Sequence, residues 1–212
     1  MRAAATVWAD RHGVSAIEFA VIAPTFFLFL AAVVELGYLA MGDMALESGT
    51  RSAARYGLTG AAVEGQTRDQ TVRALITDRI CPHDIDASRK ACLWAEEKTH
   101  EHADGTISPL FLAMRAYRDV GNVGRAEPFV DDAPANGTHD PGEAFTDVNG
   151  NERWDADMGA AGPGGSGDLV VYQAGYYQRV VNPLLRAALG TYVFHETRMV
   201  IRSRLSLSTG TS

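Results

Sequence analysis

Cysteine is scarce in this chain of 212 residues: Cys81 and Cys92 are the only two. A structural zinc site needs four ligands, and with His83 the one candidate histidine nearby, two cysteines do not supply it. In an oxidising compartment a disulfide, worth about 2 to 3 kcal/mol for so small a loop, is the first expectation, ahead of free thiols and a metal. Basic residues are also outnumbered. Against 26 aspartates and glutamates stand 19 lysines and arginines, for a formal net charge of -7 and a pI near 5.3. That balance argues against the basic face of a nucleic-acid binder and leaves protein, cation or membrane as partners. No nucleophile, base and orienting acid share a recognisable motif. Ser166 in Gly165-Ser166-Gly167 lacks the strand-turn-helix setting of a nucleophile elbow. Residues 159–167 lack the lysine of a phosphate-binding loop and read as a flexible linker. An anchored hydrolase is therefore a remote alternative.

What the chain does have is one membrane-length apolar run. Residues 19–42 carry a single charge, Glu35, and at about 1.5 Å per residue a helix of that length crosses a hydrocarbon core of roughly 30 Å. A secretory signal has a shorter apolar region followed by a small-residue cleavage site, and neither is evident. Arg2 and Arg11 favour a cytoplasmic N-terminus with the bulk of the chain outside; Arg51 and Arg55 weaken that bias without reversing it. Pro24 removes a helical hydrogen bond and predicts a kink or local unwinding. Glu35 falls near the outer interface, where a hydrated carboxylate is expected. Glu18 stands at the mouth of the run. A carboxylate near hydrocarbon costs roughly 2.5 kcal/mol or more, so Glu18 either finds a partner or stays hydrated at the headgroup boundary. The helix is expected to continue along Met44, Ala45, Ser48, Ser52, Ala53 and Tyr56 and to be capped at Gly57.

Further on, residues 67–80 read as a second amphipathic helix with Val72, Leu75, Ile76 and Arg79 along one side and a weak capping signal at Thr67. His100-Glu101-His102 looks like part of a solvated turn rather than a metal site. Strands are expected at 108–117, 168–181 and 192–207, with a short helix started by Asn182-Pro183 and stopped by Gly190. Tyr172, Tyr176 and Tyr177 fit cross-strand packing or a subunit surface. A long helix against a small antiparallel sheet gives an α+β class. The expected layout is a basic leader (1–13), an anchor helix (14–57), an outer α+β region (58–126), an acidic insert with linker (127–167) and C-terminal strands (168–212).

The acidic insert holds nine carboxylates and one arginine between 127 and 157. It contains an imperfect repeat: Glu127-Pro-Phe129-Val-Asp131 returns as Glu143-Ala-Phe145-Thr-Asp147. Oxygens at loop positions 1, 3, 5 and 9 with a carbonyl at 7 are how a twelve-residue loop wraps Ca²⁺. The second loop offers Asp147, Asn149, Asn151, the Arg153 carbonyl and Asp155, with Asp157 a further candidate; the first offers Asp132, Asn136, Asp140 and Glu143. Met158 stands where a glutamate is required and Glu152 where a glycine is, while Pro134 occupies the third position of the first loop. A structural Ca²⁺ or a solvated mobile loop are both open readings, and Phe129, Phe145 and Trp154 weigh for an ordered one.

The N-terminal segment Gly13-Val-Ser-Ala-Ile-Glu18-Phe-Ala-Val-Ile-Ala-Pro24, with Glu35-Leu-Gly37 after it, resembles the TadE/TadG-like minor pseudopilins of the Tad (Flp) pilus system. Ser52-Ala-Ala-Arg55-Tyr56-Gly57 and residues 176–185 are similar more weakly. The resemblance implies a non-catalytic subunit of the inner (cytoplasmic) membrane that helps to assemble an adhesive pilus with other pilus subunits and the assembly machinery. It also implies a prepilin-type peptidase that cuts between Gly13 and Val14, leaving the new amino group of Val14 on one subunit to neutralise Glu18 of its neighbour. Phe19 departs from the Glu-Tyr pattern of major pilins, and the outer domain exceeds theirs, which favours a minor role. An uncleaved single-pass envelope protein with a calcium-stabilised outer domain is the alternative.

Overall fold

The computed structural model describes residues 14–58, 65–81, 83–86, 89–102, 105–132 and 135–203. The expected leader with Gly13, the loop at 59–64, Pro134 and the end of the last expected strand beyond 203 lie outside the described residues. The architecture is α+β. Helix α1 (Val14–Leu58) is followed by α2 (Arg68–Ile80), the hairpin β1 (His83–Asp86) and β2 (Arg89–Ala91), and a second small pair, β3 (His100–Glu101) with β4 (Ile107–Ser108). The main sheet has the order β6-β5-β7-β8, built from β5 (Phe111–Tyr117), β6 (Ala160–Ala161), β7 (Leu169–Arg179) and β8 (Tyr192–Arg202), with the one-turn helix α3 (Arg186–Leu189) between the last two. β5 lies antiparallel to both neighbours, from Phe111 opposite Gly175 to Tyr117 opposite Leu169 on one side.

The chain divides into two compact units. One joins α1 as far as Met41 to Arg179–Val193; the other holds Gly42–Gln178 and the chain from Phe194 onward. In the first, α1 is apolar and largely exposed, with Glu35 and Leu39 buried: Phe19, Val21, Ile22, Phe26, Phe29 and Val34 are each more than half accessible, as a lipid-facing helix is. The helix runs through Pro24 without a break, so the expected local unwinding does not occur.

In the second unit α1 packs along Gly42, Leu46, Gly49, Ala53 and Gly57, a stripe spaced by threes and fours. Of the expected face only Ala53 lies on it. Met44 and Ser48 are exposed, and Ala45, Ser52 and Tyr56 are half-buried. The reason lies in the glycines, which carry no hydrophobic signal yet mark the closest approach. A Cβ at Gly42 would overlap the Gln178 side chain and reach within 2.7 Å of Tyr176 Oη, and one at Gly57 would overlap Tyr172 Oη. Gly57 is thus a contact residue within the helix, not its cap; its carbonyl accepts from the Arg68 guanidinium.

α2 is closed by a full capping box, with the Thr67 side chain and Gln70 serving each other's backbone N–H. It buries Thr71, Val72, Ile76 and Ile80, each aliphatic contributing about 1.5 to 3 kcal/mol; Leu75 is half-buried and Arg79 exposed. Tyr172 and Tyr176 on β7 are fully buried. The expected solvated turn at His100–His102 is packed instead. The His100 ring stacks on Tyr177 at 6.1 Å, and His102, buried, meets Ser108 Oγ at 2.8 Å. Nor is 159–167 a loose linker: β6 pairs with β5, Gly162 N–H donates to Met114 O and Gly167 N–H to Ser203 O.

Candidate functional site

The acidic insert belongs to the second unit and folds into two loops with matching internal bonds. Phe129 and Phe145 form an antiparallel bridge, with Val130 N–H donating to Ala144 O and Thr146 N–H to Pro128 O, both at 2.8 Å. Each segment carries a glutamate before its phenylalanine, and each glutamate closes the loop that follows the other phenylalanine. Glu127, buried, accepts from Val148 N–H at 2.7 Å with one oxygen and from Asp155 N–H at 3.1 Å with the other. Glu143 accepts in the same way from Asp132 N–H at 3.0 Å and Asp140 N–H at 2.8 Å.

The correspondence continues within the loops. Asp131 Oδ2 accepts from Gly137 N–H and Asp147 Oδ2 from Glu152 N–H, each at 2.8 Å. Asn136 donates its amide to Asp140 at 2.8 Å, as Asn151 does to Asp155 at 2.6 Å. Asn149 adds a second amide to the same Asp155 oxygen at 2.7 Å. The backbone turns left-handed at the equivalent points, φ 77° at Gly137 and φ 62° at Glu152. A shared aromatic plug joins the halves: His139 stacks on Trp154 at 4.6 Å, Phe129 meets the same indole edge-on, and Trp154 Nε1 donates to Glu127 O at 3.0 Å.

These contacts show where the expected ligand residues lie. Asp131, not Asp132, takes the opening position of the first loop, and only the backbone of Asp132 is engaged. Glu127 closes the second loop through backbone N–H groups, and Met158, at its twelfth position, is buried. Asp157 is drawn away: it accepts from Tyr117 Oη at 2.8 Å and faces Arg115. Arg153 gives its N–H to Asn151 Oδ1 at 2.9 Å. Among the described residues no three His, Cys, Asp or Glu side chains converge to hold a metal ion. Backbone N–H groups, that of Glu152 foremost, hold the Asp147 carboxyl below the usual carboxylate range. The amide of Asn149, then that of Asn151, does the same for Asp155. The Glu127/Glu143 and Asp131/Asp147 equivalences are those of the sequence repeat. Cys81 and Cys92 form a disulfide with Cα atoms 4.0 Å apart, closing over β1 and β2.

At the other end of the chain, Val14 opens α1, and Glu18 and Phe19 are exposed in its first turns. The helix from there is long and apolar enough to cross a membrane. Residues 13–55 match the TadE-like protein family. No curated protein and no solved structure matches the chain. The TadE-like match and the apolar helix together fit a single-pass membrane protein associated with the Tad pilus, and the match ends inside α1.

Within the TadE-like helix, Glu35 is not the hydrated carboxylate expected of it. It is 4% exposed, and its two oxygens accept from Val181 N–H at 2.8 Å and Asn182 N–H at 2.9 Å. Eight residues on, Asp43 Oδ1 meets His195 Nδ1 of β8 at 2.6 Å; that imidazole is buried, its ring tilted against Tyr176. Neither partnership has a local sequence signal, because both join positions more than 140 residues apart.

Proposed function

We propose that this chain is a minor pseudopilin: a non-catalytic subunit of the inner membrane, its N-terminus cytoplasmic and its outer domain extracytoplasmic, that helps to assemble an adhesive Tad pilus. A prepilin-type peptidase cuts between Gly13 and Val14. The amino group of Val14 on one subunit then neutralises Glu18 on the next, and the cost of leaving a carboxylate in hydrocarbon drives the two helices together. The observation that supports this most directly is the exposure of Glu18 on a helix whose surroundings are otherwise apolar. An intact-mass measurement of the membrane-extracted protein tests the cut, which requires an N-terminus at Val14. For the joint, Glu18→Ala is expected to insert normally and to lose co-purification with other pilus subunits; undiminished co-purification would refute the role.

The proposal extends to Ca²⁺ as a structural ion of the double loop. Turning the Asn149 and Asn151 amides about, at the cost of the bonds their oxygens accept from Asn151 and Arg153 N–H, would present two oxygens beside Asp155, the hard donors that this cation takes.

A further inference from the structure

Residues 179–193 contain no acidic residue and two arginines. Between the ends of β7 and β8 they form a turn that presents Val181, Leu184 and Leu189 to the outside at 62%, 69% and 39% exposure. Three polar side chains of that turn are engaged internally. Asn182 Oδ1 accepts from Leu184 N–H at 2.9 Å, Arg186 Nε donates to Val180 O at 2.9 Å, and the Arg179 guanidinium lies over the Tyr192 ring at 5.9 Å. What faces outward is mainly apolar, with exposed Arg179 and Thr191 and half-buried Tyr192 next to it in the chain, the composition of a segment seated at a membrane interface.

Its height on the membrane is set by Glu35. From Phe19, where the apolar run begins, to Glu35 a helix rises about 24 Å, which brings Glu35 near the outer boundary of a hydrocarbon core of roughly 30 Å. The Glu35 carboxylate holds the backbone of Val181 and Asn182 at that level. A turn pinned there with three exposed aliphatic side chains meets lipid without any change of fold, and burying them removes exposed apolar area at about 25 cal/mol per Å².

We infer that residues 181–190 are a second membrane contact, lying in the outer headgroup-acyl boundary beside α1 with Val181, Leu184 and Leu189 in lipid. The inference rests on α1 spanning the bilayer, and neither on cleavage at Gly13 nor on pilus assembly.

Because Cys81 and Cys92 are paired, a single added cysteine in the full chain is the one thiol that takes a spin label. Leu184→Cys and Leu189→Cys would be labelled in phosphatidylethanolamine-phosphatidylglycerol bilayers, with Val21→Cys as the lipid reference and Val120→Cys as the aqueous one. Both test sites are expected to collide more with oxygen and less with a water-soluble nickel chelate than Val120→Cys. Collision values at both sites equal to those of Val120→Cys, with Val21→Cys in lipid, overturn the inference and leave the anchor standing. Protection from both reagents means a protein neighbour covers the turn, and also overturns it. An aqueous reading at Val21→Cys removes the spanning helix and the inference with it.

Discussion

The carboxylate of Glu35 and the backbone N–H of Val181 lie 2.8 Å apart across a sequence separation of 146 residues. With Asn182 N–H on its second oxygen, this buried side chain caps the chain where β7 ends, and ties that point to the anchor helix. Replacing it by alanine leaves two N–H groups without an acceptor, at about 1 to 3 kcal/mol each. Glu35→Gln keeps one acceptor oxygen and is expected to lose less. Thermal unfolding of the detergent-solubilised chain should rank wild type above Glu35→Gln and that above Glu35→Ala. Equal midpoints for all three would mean that the cap contributes nothing to stability.

The glycines of α1 divide into two kinds. A side chain at Gly42 or Gly57 would strike Gln178 or Tyr172, whereas nothing lies within 4 Å of the Cβ position at Gly37. Gly37→Ala is expected to be neutral or to stabilise by up to about 1 kcal/mol through helix propensity. Gly42→Ala and Gly57→Ala should destabilise by about 1 to 3 kcal/mol through overpacking. Chemical denaturation of the three variants distinguishes these signs.

That contrast also explains what could be read in advance. The long apolar helix, α2, the three long strands β5, β7 and β8 and the α+β class were legible because each is written locally, as an apolar run, a capping box or an alternation. The buried face of α1 was not, since Gly42, Gly49 and Gly57 are defined by what they lack. Asp43 with His195 and Glu35 with Val181 were illegible for a related reason: a polar residue in an amphipathic helix looks solvated until its distant partner is known. The double loop stands between. Its repeat was visible, but the exchange of Glu127 and Glu143 between loops is a property of pairing, and spacing along one strand does not contain it.

Glu152 holds φ 62° at the position its counterpart fills with Gly137. A residue with a Cβ pays about 1 to 2 kcal/mol there. Glu152→Gly keeps the N–H that Asp147 accepts, so it is expected to stabilise the double loop by about 1 kcal/mol. A lower melting temperature for this variant would mean that the carboxylate has a contact that outweighs the strain.

Burial, then the hydrogen bond to Asp157, pushes the Tyr117 hydroxyl from 10.0 up to about 12. The folded-state value lies above the unfolded one, so the neutral phenol contributes stability that is complete below pH 10.0 and is lost as the pH rises through about 12. Tyr117→Phe should therefore flatten the alkaline limb of a stability profile between those values. The difference in phenolate absorbance between the two proteins gives the titration directly, and a midpoint near 10 would show that Asp157 does not hold this group.

The double loop makes the last expectation. Asp147 and Asp155 are both held below the usual carboxylate range, so what they contribute is present above about pH 4, the unfolded carboxylate value, and fades as the pH falls through the lower folded one. A bound Ca²⁺ would add to this by mass action, about 2.7 kcal/mol at a hundredfold excess over its dissociation constant. Melting of the full chain is therefore expected to rise on adding Ca²⁺ and to return on chelation, with Asn149→Ala and Asn151→Ala each weakening the response. Glu127→Gln tests the other half of the argument: this carboxylate is buried against backbone N–H groups of the second loop, so the variant should expose that loop to protease with or without the ion. Melting and protease resistance indifferent to both Ca²⁺ and chelator would leave the hydrogen bonds alone to order the insert.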